Sequence, residues 1–157
     1  MGPEFNLFVP FTPWNGGKPI RREAMLRILF VCHGNTCRSV MAEAIARDRF
    51  KEDAEVHSAG LSPQDAEDSD MAIDTLQKYF DIDASGHVPK GIDSVKLDAF
   101  DYVIAMAPGI ARQIPDLPEG KLITWMIGDP WGDDSETYLE CANAIKDEVS
   151  KLAEIIK

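Results

Sequence analysis

Cysteine is scarce in this chain: Cys32, Cys37 and Cys141 are the three it has in 157 residues, and they are scattered. That is too few for a secreted disulfide framework and offers no paired ligand spacing for zinc. Free thiols of this kind suit a reducing, cytoplasmic setting. No apolar run reaches about 18 residues, so no membrane-spanning helix is expected. Met1 to Glu4 lack the basic start and apolar stretch of a secretory signal. Positive charge is also short, with 16 Lys and Arg against 27 Asp and Glu and a net charge of −11. A field of that sign opposes binding to nucleic acid or anionic lipid, whose phosphates must be neutralised by basic side chains. Neither Gly-x4-Gly-Lys-[Ser/Thr] nor Gly-x-Gly-x-x-Gly occurs, which disfavours a nucleotide-binding loop. An anionic ligand therefore needs a local positive site inside a negative envelope.

What is present is ordinary for a globular protein: 45% hydrophobic and 27% charged residues. A chain of this length fits one domain, which removes roughly 70% of its unfolded surface from water. Residues 1–24 differ from the rest. They hold Pro3, Pro10, Pro13, Pro19 and Gly16-Gly17 and show no sustained period, so they are read as an added expression leader or a flexible arm. The domain is expected over 25–157.

From Met25 onward strand and helix patterns alternate. Leu26 to Val31 reads as a buried strand, and Arg38 to Phe50 as a helix with Met41, Ala42, Ile45 and Phe50 inward. Glu55 to Ala59 is a short strand before the turn residues Gly60, Ser62 and Pro63. Ser69 to Phe80 reads as a helix capped by Ser69, with Met71, Ile73, Leu76, Tyr79 and Phe80 as its apolar stripe. Tyr102 to Met106 and Lys121 to Trp125 are the remaining strands. Tyr138, Cys141, Ala142, Ile145, Val149, Leu152 and Ile156 step by threes and fours, the stripe of a long amphipathic helix. Strands separated by helices predict an α/β fold with a parallel sheet, whose ligands bind beyond the carboxyl ends of the strands. The segment at Cys32 lies at that edge.

Val31 to Ser39 joins the first strand to the first helix. A short loop feeding a helix leaves amides unpaired around one concavity, and the helix terminus adds partial positive charge. Gly34 permits close backbone approach, and Asn35 tolerates a positive φ. Arg38 offers two parallel hydrogen bonds to a phosphate, which Lys does not match. Cys32 sits at the mouth of this nest. The donors that attract phosphate also stabilise a thiolate, the nucleophilic form of cysteine. Ser39 is placed to donate a hydrogen bond to that sulfur.

At these residues the sequence resembles the low-molecular-weight protein tyrosine phosphatases. The stretch Leu29 to Ala44 looks like their phosphate-binding signature. His57-Ser58-Ala59-Gly60, Phe100 to Met106 and Gly128-Asp129-Pro130-Trp131-Gly132 look like further family motifs in the same order. The resemblance implies a three-layer, flavodoxin-like fold with a four-stranded parallel sheet, and no metal or other cofactor. It implies Cys32 as nucleophile, Arg38 as transition-state clamp and Asp129 as general acid, with phosphate held by His33, Gly34, Asn35, Thr36, Cys37 and Arg38. Phosphotyrosine in a protein is the implied substrate, and the protein a monomer or weak dimer.

Several positions carry two readings. Trp131 either stacks on a flat substrate group or belongs to the core. His33, in place of the commoner apolar residue, either faces the cleft or is a plain surface histidine; it leaves phosphoarginine open as the substrate. Asn35, Ser39, Ser58 and His87 match a hydrogen-bond network that supports the loop. His87 sits beside Pro89-Lys90, where the family pattern differs, and a surface-loop histidine is its other reading. Cys37 matches a redox partner that captures an oxidised Cys32, or else packs behind the loop. Cys141 falls on the apolar stripe and is read as core. The rival functions are an arsenate reductase, which relays a disulfide through cysteines beyond the loop, and a redox-sensing phosphate binder.

Overall fold

The computed structural model describes residues 25–156. The expected leader, residues 1–24, lies outside the described residues. Four strands form one parallel sheet: β1 (Leu26–Cys32), β2 (Ala54–Gly60), β3 (Tyr102–Ala105) and β4 (Leu122–Thr124). Their spatial order is β2-β1-β3-β4. Interleaved with them are α1 (Arg38–Phe50), α2 (Asp70–Phe80), the single turn α3 (Pro108–Ala111) and α4 (Ser135–Ile155). The α/β class and the four-stranded parallel sheet expected from the sequence are what the chain adopts.

Burial follows position in the sheet. Ile28 to Val31 in β1 and Val103 to Ala105 in β3 are fully buried, because a central parallel strand is covered on both faces. Edge strand β4 is shorter than the run Lys121 to Trp125 suggested, and its Thr124 is exposed. Trp125 leaves the strand but stays in the core, its ring 5.4 Å from that of Phe30. The stripe of α4 is buried as its spacing predicts, and the helix is capped by Asp134, whose carboxylate accepts from the Thr137 amide at 3.0 Å and the Thr137 hydroxyl at 2.8 Å.

Helix α2 departs from the expectation. Its buried residues are Ala72, Thr75 and Leu76, while Met71 and Tyr79 are exposed. This helix packs against both α1 and α4, and Ala72, Thr75 and Leu76 are the side chains it buries. Ser69 holds the N-cap position without capping. Its backbone is already helical, continuing the turn Ala66–Ser69, and its buried Oγ has no hydrogen-bond partner.

In the order β2-β1-β3-β4 the chain reverses direction across the sheet between β1 and β3, and a crevice forms where adjacent connections diverge. The loop after β1 opens into that crevice. No helix among the described residues is long and apolar enough to cross a membrane.

Candidate active site

Cys32 ends β1 and is almost fully buried. The five residues that follow curl into a cup because the chain beside them takes up their carbonyls. Cys32 O accepts from the Leu61 amide at 3.0 Å, His33 O from Ser62 at 2.8 Å and Gly34 O from Gln64 at 3.0 Å. Asn35 O accepts from His87 Nε2 at 2.7 Å. A trans peptide points its N–H opposite to the preceding carbonyl. The amides of His33, Gly34, Asn35 and Thr36 are therefore turned the other way, toward the cleft at Cys32. Asn35 takes φ 57°, a left-handed conformation that its short polar side chain tolerates. A Cβ at Gly34 would fall 2.8 Å from Cγ of the exposed Gln64, so a larger residue there displaces that side chain.

Behind the cup runs a chain of buried hydrogen bonds. Ser39 Oγ lies 2.9 Å from Cys32 Sγ. Asn35 Nδ2 donates to Ser39 Oγ and to Ser58 Oγ, each at 2.9 Å, and Asn35 Oδ1 accepts from the Lys90 amide at 2.9 Å. Ser58 passes its proton donor on to the Glu43 carboxylate, which also pairs with Arg47 at 2.6 Å. His87 Nδ1 stands 3.9 Å from the same carboxylate. All four support residues named from the sequence thus meet in one network, and His87 is a buried side chain rather than a surface one.

Arg38 opens α1 and is buried. Its Nη1 donates to Ile127 O at 2.9 Å, and its Nη2 lies 3.7 Å from Asp129 Oδ2. Asp129 is half exposed and accepts the Trp131 amide at 3.0 Å, an Asx turn that Pro130 stiffens. Trp131 is 53% exposed, which removes the core reading. His33 is exposed at the rim. Cys32, His33, Gly34, Thr36, Cys37, Arg38, Asp129 and Trp131 line one small cavity of about 50 Å³. A larger groove of about 760 Å³ lies behind the loop, lined in part by Glu43, Arg47 and His87. It holds no cysteine, so the candidate nucleophile Cys32 lies in the smaller cup despite the difference in size.

Cys37 is buried at the back of the loop with its Sγ 3.2 Å from Tyr138 Oη. Burial pushes its thiol above the usual range, against the bond from Tyr138. Burial likewise pushes the Cys141 thiol up to about 12, and its Sγ donates to Gly128 O at 3.6 Å. Cys141 is core, as its stripe position predicts.

A family model for low molecular weight phosphotyrosine protein phosphatase matches residues 27–157. The chain belongs to that family. Arsenate reductase 1 of Staphylococcus haemolyticus (strain JCSC1435) is 34% identical over 125 residues, covering 79% of this chain and 89% of its own. A protein-arginine-phosphatase of Geobacillus stearothermophilus is 31% identical over 140 residues, with 82% and 94% covered. The low molecular weight protein tyrosine phosphatase structure from T. tengcongensis superposes with a TM-score of 0.76 at 34% identity, over 83% of this chain and 99% of that one.

For a low molecular weight phosphatase, four participants in this site were not visible as such in the sequence. Glu43 closes the support network, Gln64 lines the cleft beside Gly34, Tyr138 bonds Cys37, and Ile127 supplies a carbonyl to Arg38. One signal existed for the first. Ser39, Glu43 and Arg47 recur every four residues on α1, a polar row that begins among the buried Val40, Met41 and Ala42.

Proposed function

We propose that this protein is a cysteine-dependent phosphatase that hydrolyses phosphotyrosine in proteins through a cysteinyl-phosphate intermediate. The observation that carries the reading is the placement of Cys32 at the cup of outward-bonded carbonyls, with Arg38 and Asp129 3.7 Å apart at its edge. The amides of residues 33 to 36 and the guanidinium of Arg38 bind the phosphoryl oxygens and favour the charge that spreads over them in the transition state. The Cys32 thiolate attacks phosphorus while the ester oxygen leaves with the proton of Asp129. The Asp129 carboxylate then takes a proton from water, that water attacks phosphorus, and the thiolate departs with Ser39 donating to sulfur. Asn35, Ser58 and His87 hold the loop in its strained shape. Trp131 offers an exposed aromatic face to the tyrosyl ring, and His33 borders the entrance. The thiols are unpaired, which suits a cytoplasmic enzyme.

Cys37 in this reading protects the nucleophile. When peroxide oxidises Cys32 to a sulfenic acid, the Cys37 thiol condenses with it, forming a disulfide and releasing water.

Phosphoarginine is the second substrate reading, supported by the named activity of the Geobacillus relative and by the exposed Trp131 face, which stacks on a guanidino group as well as on a phenol. Arsenate reduction is less well supported, although a Staphylococcus relative carries that name. Beyond the loop the sequence has one further cysteine, Cys141, and it is buried with its thiol raised to about 12.

The test compares peptides carrying phosphotyrosine, phosphoserine and phosphoarginine in metal-free buffer, with an arsenate and dithiol arm alongside. Phosphotyrosine turnover that vanishes in Cys32→Ser is expected. Turnover retained by Cys32→Ser would sink the covalent mechanism, and a preference for phosphoarginine would move the assignment to the second reading.

A further inference from the structure

Asp129 sits in the segment between β4 and α4, and among residues 128–134 only Pro130 is buried. Few apolar contacts therefore hold this acid loop in place. Within it the Trp131 amide bonds Asp129 at 3.0 Å, which shapes the turn but leaves its distance from the cup to whatever anchors the two ends. Those anchors are adjacent residues. At the start, Arg38 Nη1 donates to Ile127 O at 2.9 Å. At the far end the loop runs into α4, and Tyr138 in the first turn of that helix reaches Cys37 Sγ at 3.2 Å. Both groups of the second contact are almost wholly buried, Tyr138 at 1% and Cys37 at 5% exposure, where a hydrogen bond is little weakened by water. Cys141, on the next turn of α4, bonds Gly128 O at 3.6 Å and ties the same helix to the entry of the loop.

We propose that Tyr138 is a positioning residue for proton donation: through Cys37 it holds the start of α4, and with it the C-terminal end of the acid loop, against the phosphate cup. This rests on the reading of Asp129 as the general acid. The hydroxyl makes the difference, since a phenylalanine ring fills the same space and loses only the bond to Cys37. Proton transfer is sensitive to small displacements of donor from acceptor, so a loosened far anchor weakens protonation without removing the cup.

The experiment measures kcat/KM, which reports the steps through phosphoenzyme formation, on phenyl phosphate and p-nitrophenyl phosphate. Tyr138→Phe should lower kcat/KM about tenfold for phenyl phosphate, the poor leaving group, and less than about threefold for p-nitrophenyl phosphate. Cys37→Ala should reproduce this pattern, Cys37→Ser should recover most of it by restoring an acceptor, and the Tyr138→Phe/Cys37→Ala double variant should be no worse than either single one. Equal losses on the two substrates, or none on either, overturn the proposal. Asp129→Ala is the reference. If it steepens the leaving-group dependence and Tyr138→Phe does not, the inference fails while the acid role stands; if neither does, both fail.

Discussion

Asp129 stands 3.7 Å from Arg38, a half-exposed carboxylate facing a guanidinium that is almost wholly buried. In the proposed mechanism the contact places the residue that handles the leaving group beside the residue that clamps the phosphoryl oxygens. Arg38 also donates to Ile127 O, so in that mechanism one planar side chain serves both the substrate and the base of the loop that carries Asp129. Arg38→Lys keeps the charge but loses the fork. It should lower kcat by about 100-fold or more and weaken vanadate inhibition. A lysine variant with wild-type kcat would refute the clamp.

Asn35 should matter more for its bonds than for its backbone. Its side chain makes three hydrogen bonds, buried ones to Ser39 and Ser58 and a partly buried one from the Lys90 amide, at φ 57°. Asn35→Ala strains that conformation and leaves the partners short, so urea unfolding should show a loss of roughly 2–4 kcal/mol. Asn35→Gly relieves the strain only. Both variants should lose most phosphatase activity, and a fully active Asn35→Gly would show the network to be dispensable.

Two glycines give a sharp contrast. A Cβ at Gly60 would meet Asn35 N and His33 O, each at 2.8 Å, and Gly34 C at 2.9 Å. These are backbone atoms of the cup and have nowhere to go. Gly60→Ala should therefore abolish most activity and lower Tm, whereas Gly86→Ala, with nothing within 4 Å, should leave both near wild type. Thermal melts with p-nitrophenyl phosphate assays decide it.

The start of α4 should respond to acid in a defined direction. The Thr137 amide, and next its hydroxyl, hold the Asp134 carboxyl below its ordinary 3.8. A carboxyl depressed by folding stabilises the native state above its unfolded value, and that contribution is lost as pH falls through the lower folded value. Asp134→Ala should lower Tm by roughly 3 °C at pH 7, and the difference should shrink below pH 4. A gap that grows toward low pH would contradict the cap.

Thiol chemistry should separate the three cysteines. Burial raises Cys37 and takes Cys141 to about 12, so both react slowly with an external alkylating agent near neutrality, whereas capture of an oxidised Cys32 by Cys37 is an intramolecular step. Iodoacetamide at pH 7 should label Cys32 first, at least tenfold faster than the other two, and phosphate should protect it. Mass spectrometry reads the order directly; even labelling across the three positions would argue against an anion-stabilising cup around Cys32.

The amino-acid sequence by itself determined the local features. The run Leu26 to Val31 is apolar and β-branched enough to be a buried strand, and α1 begins at Arg38 as its spacing predicts. The loop between them declares itself because thiol, turn-former and guanidinium are concentrated within the seven residues from Cys32 to Arg38. The stripe of α4 was equally legible, since it is long and buries one face. Tertiary structure decided what lies between distant segments. Which side of α2 faces inward depended on how closely α1 and α4 approach it, so Ala72 and Thr75 are buried while the larger Met71 and Tyr79 stay out. Glu43 became part of the site only when Ser58 and His87 were brought to it, and Tyr138 meets Cys37 across 101 residues of chain. Periodicity reports the surroundings of one element averaged along its length; hydrogen bonds between elements depend on positions in space that no single stretch encodes.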